Sequence, residues 1–505
     1  MKEGDNLYKL VHLLNKSEKR YLKLYASKYK QPKIKNSLLL FDAINKQQKY
    51  NESKLKNALE KSILIRNFPY EKNQLQSLIL RALADYHQED TATNLLHTLL
   101  KQINLLKNKG HYKLANKLLF KAYKLARLNE SFDFLHQIIC LQIALNIDSL
   151  GYLTENSWEY LSEELLEVDK KIFLESQYYS LFLKAYQFDL QGNNTAPKTF
   201  FNDLFKDTLL KDETQAVTFK SKRFLYMTKS TYYKSISDWE NLLLYANKLK
   251  ELFEKNGHFL KNQFGKYLRH CINYVSVLLL ANRVEAAEIA YKKLARFAKK
   301  NAAYFDEMLL TSFEFNLKKL RFSIYDCKFL YEKIYEENQK VASTVSVHTG
   351  MQTVGYDFLI LIKACISLEK YEEVLNLCNQ YLQNKKKNTV ENITFFVKVF
   401  EWMAHYELGN QSKLTSQVNS LYFYSRQKNI DGTYAEVIVS LFRKLSTIKK
   451  TENATVIFQK YLTKFEQLPD KNHKTKGILL AWLYSHIKHK PIKTMLKEMR
   501  LNSKF

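Results

Sequence analysis

Tyr112-Lys113-Leu114-Ala115-Asn116-Lys117-Leu118-Leu119-Phe120-Lys121-Ala122-Tyr123-Lys124-Leu125-Ala126-Arg127 carries the clearest periodicity in the chain. Leu114, Ala115, Leu118, Leu119, Ala122, Leu125 and Ala126 return every three or four positions, which wraps them onto one face of an α-helix. Lys113, Lys117, Lys121 and Lys124 fall on the opposite face. Gly110 stands just upstream and predicts the end of a preceding helix, because glycine enters the left-handed cap without steric cost.

Composition extends this reading to all 505 residues. Glycine (11) and proline (5) together make about 3% of the chain, against roughly 12% in an average protein. Tight hairpin turns need both residues, so sheet folds are excluded and an all-α chain with short polar loops is expected. Apolar residues reach 46%, with 34 Tyr and 31 Phe, which is ample material for a core and excludes disorder. No low-complexity tract exceeds Lys385-Lys386-Lys387.

The pattern around Gly110 recurs. Gly110-x-Tyr112-x-x-Ala115 with Ala122, Trp239-x-x-Leu242-x-x-x-Ala246, Val284-x-x-Ala287-x-x-x-Tyr291, Tyr371-Glu372-Glu373-Val374-x-x-x-Cys378 and Gly409-Asn410 with Leu414 share a turn, an aromatic or apolar opener and a contact residue. Anchors at Leu242, Ala287, Leu330, Val374 and Leu414 are 45, 43, 44 and 40 residues apart. This resembles the second half of a tetratricopeptide repeat, with helices longer than the 34-residue form. The Trp-Leu-Gly signature of the first helix is mostly absent and no copy has a closing proline. The resemblance covers about residues 91–425, with degenerate copies between 130 and 235. It implies a right-handed superhelix of antiparallel helix hairpins, whose first helices line a concave, peptide-binding groove.

Residues 1–90 predict a separate helical bundle, with helices over 17–29, 37–47, 53–61 and 70–87. Ser17 and Asn51 are candidate N-caps, and Pro69 suits a first helical turn. Leu14-Asn15-Lys16-Ser17-Glu18-Lys19-Arg20-Tyr21 and Asn73-x-Leu75-x-x-Leu78-Ile79-Leu80-x-Ala82-Leu83 are similar to the opening of an uncharacterised bacterial helical-repeat family, which implies no known activity. Residues 426–505 predict further helices and a cap. In the last helix Ile492, Leu496 and Met499 share one face, and Lys493, Lys497 and Arg500 form a basic outer one.

The net charge of +28 is uneven. Residues 1–90 carry +8, 91–130 +7, 131–440 only +2 and 441–505 +11. Two basic ends suit a polyanion such as RNA, DNA or an acidic protein. Abundant Lys, Asn, Ile, Tyr and Phe also follow from AT-rich coding, and only about a dozen of the 79 cations are Arg, the usual phosphate fork. Residues 141–220 are acidic, with Glu163, Glu164, Glu167 and Asp169 clustered. This patch suits a basic partner, the protein's own basic end or a solvated helix face.

The five cysteines are scattered, with no CxxC pair, so reduced thiols in a cytoplasmic protein are expected. Met1-Lys2-Glu3-Gly4-Asp5-Asn6, with two early acids and no apolar run after them, is not expected to act as a signal peptide. The apolar runs 274–281 and 358–368 do not suit a membrane span, the second being interrupted by Lys363. No HExxH, GxSxG, Walker A or GxGxxG occurs, so no catalytic residue, metal set or cofactor is expected. His486/His489 and Glu401/His405 lie at helical spacings that suit metal or acid–base chemistry, but each is one pair only. Tyr232-Tyr233, Tyr422-Phe423-Tyr424 and Phe395-Phe396 are either stacking platforms or hairpin packing.

The expected function is a non-enzymatic scaffold or adaptor. Its groove would be lined by His97, Lys101 and Asn104, by Arg269, Asn273 and Ser276, and by Tyr356 and Lys363. Lys, Arg and Asn there favour an acidic peptide or a carboxylate terminus. The alternative is a nucleic-acid-associated regulator, with residues 1–90 as a basic head and the repeats as sensor. Its reading helix, 70–87, carries only Lys72 and Arg81.

Overall fold

The computed structural model describes residues 3–28, 32–59, 67–149, 158–191, 203–342, 355–384, 391–428, 430, 432–448, 454–468 and 473–501. Among them every regular element is helical and no strand occurs. The first helices are α1 (Glu3–Leu13), α2 (Lys16–Ser27), α3 (Pro32–Asn45), α4 (Glu52–Ala58) and α5 (Phe68–Tyr86). Then come α6 (Ala92–Asn108), α7 (Tyr112–Leu128), α8 (Phe132–Asp148), α9 (Trp158–Gln191), α10 (Thr208–Lys211), α11 (Phe219–Ser235), α12 (Trp239–Glu254) and α13 (Gly257–Asn262). The series continues with α14 (Phe264–Leu280), α15 (Val284–Lys300), α16 (Glu307–Cys327), α17 (Tyr331–Ala342), α18 (Gly355–Ser367) and α19 (Tyr371–Asn384). It ends with α20 (Glu391–Glu407), α21 (Gln411–Gln427), α22 (Gly432–Ser446), α23 (Ala454–Glu466), α24 (His473–Lys488) and α25 (Ile492–Leu501).

The chain divides into two compact units. One comprises Met1–Lys184, Asn202–Leu225 and Gly257–Asn262; the other comprises Ala185–Phe201, Tyr226–Asn256 and Gln263–Phe505. In the first, α1 to α5 share a core of their own, built on Val11, Leu40, Leu75 and Ile79. The helices expected over 1–90 form with shifted ends, and α1 precedes them. Asn51 caps α4 as expected and Pro69 sits in the first turn of α5. The cap of α2 is Asn15, not Ser17: its side chain accepts from the Glu18 N–H, while the Glu18 carboxylate accepts from the Asn15 N–H.

The turn before α7 forms as its glycine requires. Gly110 has φ 73°, its N–H donates to the Lys107 carbonyl, and the His111 N–H donates to the Leu106 carbonyl. These two bonds satisfy carbonyls that the helix end leaves open. Ala115, Leu119, Ala122 and Ala126 are buried, whereas Leu114, on the expected apolar face, is half exposed.

The same turn recurs, mostly at residues other than glycine. Glu130, Ser237, Asn282, Phe329, Glu369 and Gly409 are also left-handed, with φ between 45° and 69°. Each is followed by an N–H that donates to the carbonyl five residues back, from Ser131, Asp238, Arg283, Leu330, Lys370 and Asn410. Five residues after each left-handed position stands a buried contact residue: Ala115, Leu135, Leu242, Ala287, Ile334, Val374 and Leu414, none more than 4% exposed. The third anchor is therefore Ile334, whereas Leu330 is only half-buried. From 237 to 409 the turns are spaced 45, 47, 40 and 40 residues apart.

In the second unit α14 packs on α16, α16 on α18 and α18 on α20, and each of the four also packs on the helix that follows it in the chain. One apolar core runs from Phe322 to Met499 without a seam at residue 425. Trp402 and Phe442 stack at 3.7 Å within it. Across the ends of α16, α18 and α20 lie α24 and α25. Phe329 packs so tightly on Gly477 that a Cβ there would meet its ring at 2.8 Å. The Glu369 carboxylate accepts the N–H of Ile492, the first residue of α25, at 2.9 Å. Glu407 accepts from Trp482 Nε1 at 2.6 Å, with His486 Nε2 at 2.7 Å. The expected face of Ile492, Leu496 and Met499 is buried, and one member of the basic face of α25, Lys493, pairs with Glu332. In the first unit Glu130 acts as Glu369 does, accepting the N–H of Phe219 at the start of α11, at 2.6 Å.

A residue with a Cβ is strained in the left-handed region by about 1 kcal/mol. Among the described residues the exposed Ser237 side chain has no hydrogen-bond partner that would offset it. Ser237→Gly is expected to stabilise the protein by about 0.5–1 kcal/mol. Glu369→Gly relieves the same strain but removes a helix cap worth about 1 kcal/mol, and is expected to give no gain or a loss. Urea unfolding followed by circular dichroism distinguishes them; equal stabilisation by both would contradict the capping role.

Candidate functional site

On α6 His97, Lys101 and Asn104 are exposed and share one face by their spacing. The His97 ring stands edge-on to Phe134 at 4.8 Å, and the Asn104 amide donates to the Leu100 carbonyl at 3.0 Å. On α14 Arg269 and Asn273 are exposed, while Ser276 is half-buried and its hydroxyl donates to the Ile272 carbonyl. The Tyr356 side chain lies outside the described residues.

Lys363 is not a groove residue. It is 1% exposed, and its Nζ lies 2.5 Å from Oδ1 of Asp326, which is wholly buried. The Tyr331 hydroxyl donates to the same oxygen at 2.9 Å. A lysine that interrupts an apolar run looks solvated in sequence. Here a carboxylate from the end of α16 supplies the counter-charge that its burial demands. Removing one partner alone strands a buried charge, at a cost of about 3–5 kcal/mol.

The opposite face of α14, with Tyr267, Cys271 and Tyr274, borders a hollow of about 500 Å³ shared with α12 and α15. Ile289, Leu294 and Phe297 give it an apolar wall. The Tyr267 hydroxyl donates to Glu254 at 3.0 Å. Burial pushes the Cys271 thiol up to about 12, so it stays protonated at neutral pH and is no nucleophile there.

A larger groove, about 900 Å³, lies between α21 and α22. Its floor includes the buried Ala435 and Val439. Its rim carries Arg426, Arg443 and Lys444, with Glu436 among them. Both guanidinium groups lie over the Tyr422 ring, Arg443 at 4.5 Å and Arg426 at 5.7 Å. Sequence reading weighed Tyr422 as a stacking platform but not these two arginines; their signal is their spacing of four and twenty-one residues from the tyrosine, which only the packing of α21 on α22 makes meaningful.

The other sequence candidates resolve into packing. Phe395 and Phe396 are buried, and Tyr233 stacks on Tyr245 at 5.5 Å. His486 turns to Glu407, and His489 is an exposed left-handed turn residue. His405 is buried and accepts from the Asn410 amide at 3.0 Å, while burial raises Glu401 and lowers His405 in pKa. Most of the acidic cluster is already engaged: Glu164 pairs with Arg127 and accepts from the Tyr123 hydroxyl, Glu167 pairs with Lys171, and the Asp169 carboxylate lies 2.7 Å from His136 Nδ1. Among the described residues no helix is long and apolar enough to cross a membrane.

Comparison with protein-family models, with curated proteins and with solved structures finds no match to this chain.

The thiols give a direct check on this packing. Burial raises Cys271 and Cys365 to about 12, and Cys378 well above its ordinary value; partial burial and the Asp169 charge raise Cys140 too, but its side chain is exposed. A thiol-reactive dye at neutral pH is expected to label Cys140 in the native state and the three buried thiols only on unfolding. Fast native labelling of Cys271 would contradict the protonated, enclosed state.

Proposed function

We propose that the chain is a non-enzymatic scaffold or adaptor that binds a segment of another protein. In this reading the repeated turns join antiparallel helix hairpins, which stack within each unit as in a tetratricopeptide-like right-handed superhelix, alongside an N-terminal bundle. The observation that carries it is the register: the same left-handed turn, followed five residues later by a buried contact residue, seven times along the chain. Repetition of one unit sets equivalent helix faces side by side, and such a surface suits an extended peptide better than a small molecule. The exposed row of His97, Lys101 and Asn104, and that of Arg269 and Asn273, have the donors that an acidic segment or a terminal carboxylate needs. Free cysteines with buried thiols suit a reducing cytoplasm.

The nucleic-acid reading has thinner support. Of the two basic residues on α5, Lys72 is held by Glu52 at 3.1 Å, which leaves Arg81 exposed alone. Two of the candidate stacking aromatics, Phe395 and Phe396, are in the core. The reading assigns no catalytic residue, metal or cofactor.

Affinity purification from native lysate, with and without nuclease, tests the proposal against Lys101→Glu and Arg269→Glu. The expected result is a protein partner that survives nuclease and is lost in a charge-reversal variant with unchanged thermal midpoint. Recovery abolished by nuclease would transfer support to the nucleic-acid reading.

A further inference from the structure

The groove between α21 and α22 combines three features. Its floor is apolar at Ala435 and Val439. Its rim is cationic: among the described residues neither Arg443 nor Lys444 has a carboxylate partner, and the exposed Arg426 is shared with Glu436 at 3.2 Å. Its cations are partly ordered, since a guanidinium lying over an aromatic ring is held in place while its N–H edge remains open to an acceptor. Arg443 thus resembles one half of a bidentate carboxylate clamp whose other half is missing.

We infer that this groove seats an acidic linear segment of a partner protein, with an apolar side chain on Ala435 and Val439 and a carboxylate on Arg443, supported by Lys444. The inference rests on the scaffold reading and locates its binding seat on α21 and α22, beyond the positions named on α6 and α14. Charge complementarity selects this occupant. A rim of three cations and one carboxylate is positive enough for a short acidic peptide, whereas a polynucleotide needs a longer cationic track. The Tyr422 ring, which a base would need for stacking, is already occupied by the two guanidinium groups.

The test is fluorescence anisotropy on the full chain, with a labelled peptide of about twelve residues in which Glu alternates with Leu and Ser. Arg443→Glu and Lys444→Glu are each expected to weaken binding by about tenfold or more. Tyr422→Ala, which leaves the charge unchanged and frees Arg443, is expected to weaken it several-fold. Glu436→Gln is expected to tighten it. The same peptide with Gln for every Glu should bind far more weakly. All four positions are exposed or half-exposed, so unchanged thermal midpoints verify that the variants fold. Equal affinity in Arg443→Glu, equal affinity for the Gln peptide, or stronger binding of a labelled single-stranded oligonucleotide would each overturn the inference. A lysate partner retained by Arg443→Glu but lost by Lys101→Glu would sink this seat and leave the scaffold reading standing.

Discussion

The architecture depends on one local constraint, a helix end closed by a left-handed residue with the next helix beginning two positions later. The closure satisfies open carbonyls with the chain's own N–H groups, so the connection needs neither a long loop nor a side-chain cap. It also fixes the phase of the next helix. The fifth residue after the turn then falls where the two helices meet, and from Ala115 to Leu414 that residue is small or apolar and buried. Phase and contact together explain how a chain with 11 glycines forms so many tight turns.

Five of these turns use residues with a Cβ, and three of the five give the side chain a second task. Glu130 and Glu369 place a carboxylate on the first N–H of a helix 89 and 123 residues away, where a negative charge is favoured by the orphan donors and the helix dipole. Phe329 presses on Gly477. Backbone strain at one helix end is thereby exchanged for a link to another. Through Phe329, Glu369 and Glu407 the helices α24 and α25 fasten the ends of three alternate helices, α16, α18 and α20, and the core from Phe322 to Met499 closes over them. A purely linear array has only neighbour contacts. This half of the chain adds contacts over more than a hundred residues, which ties its helices into one cooperative block.

Helix content and the glycine turns were legible because they are written locally. Period and composition exposed α7, and Gly110 and Gly409 marked their own turns. The turns before Trp239, Val284 and Tyr371 were marked by the motif that follows them and not by a glycine; Glu130 and Phe329 carry no compositional sign, and Leu330 stood in for Ile334 by similarity of type. Asn15 escaped as a cap because Ser17, two residues later and also a good capping residue, stood in its place. The candidate site was less legible still. Lys363 was misplaced because its counter-ion comes from 37 residues earlier, through packing that no local pattern encodes. The Tyr422 pair of arginines was overlooked for the same reason: Arg426 is on its own helix, but Arg443 arrives from the next.

Backbone amide exchange at the turns tests this account most directly. The N–H groups of Asp238, Arg283, Leu330 and Lys370 should exchange about a hundredfold or more slower than free amides, as members of closed helix ends. Exchange at the unprotected rate at these four positions would mean that the turns are open loops, and the repeating register would have no physical basis.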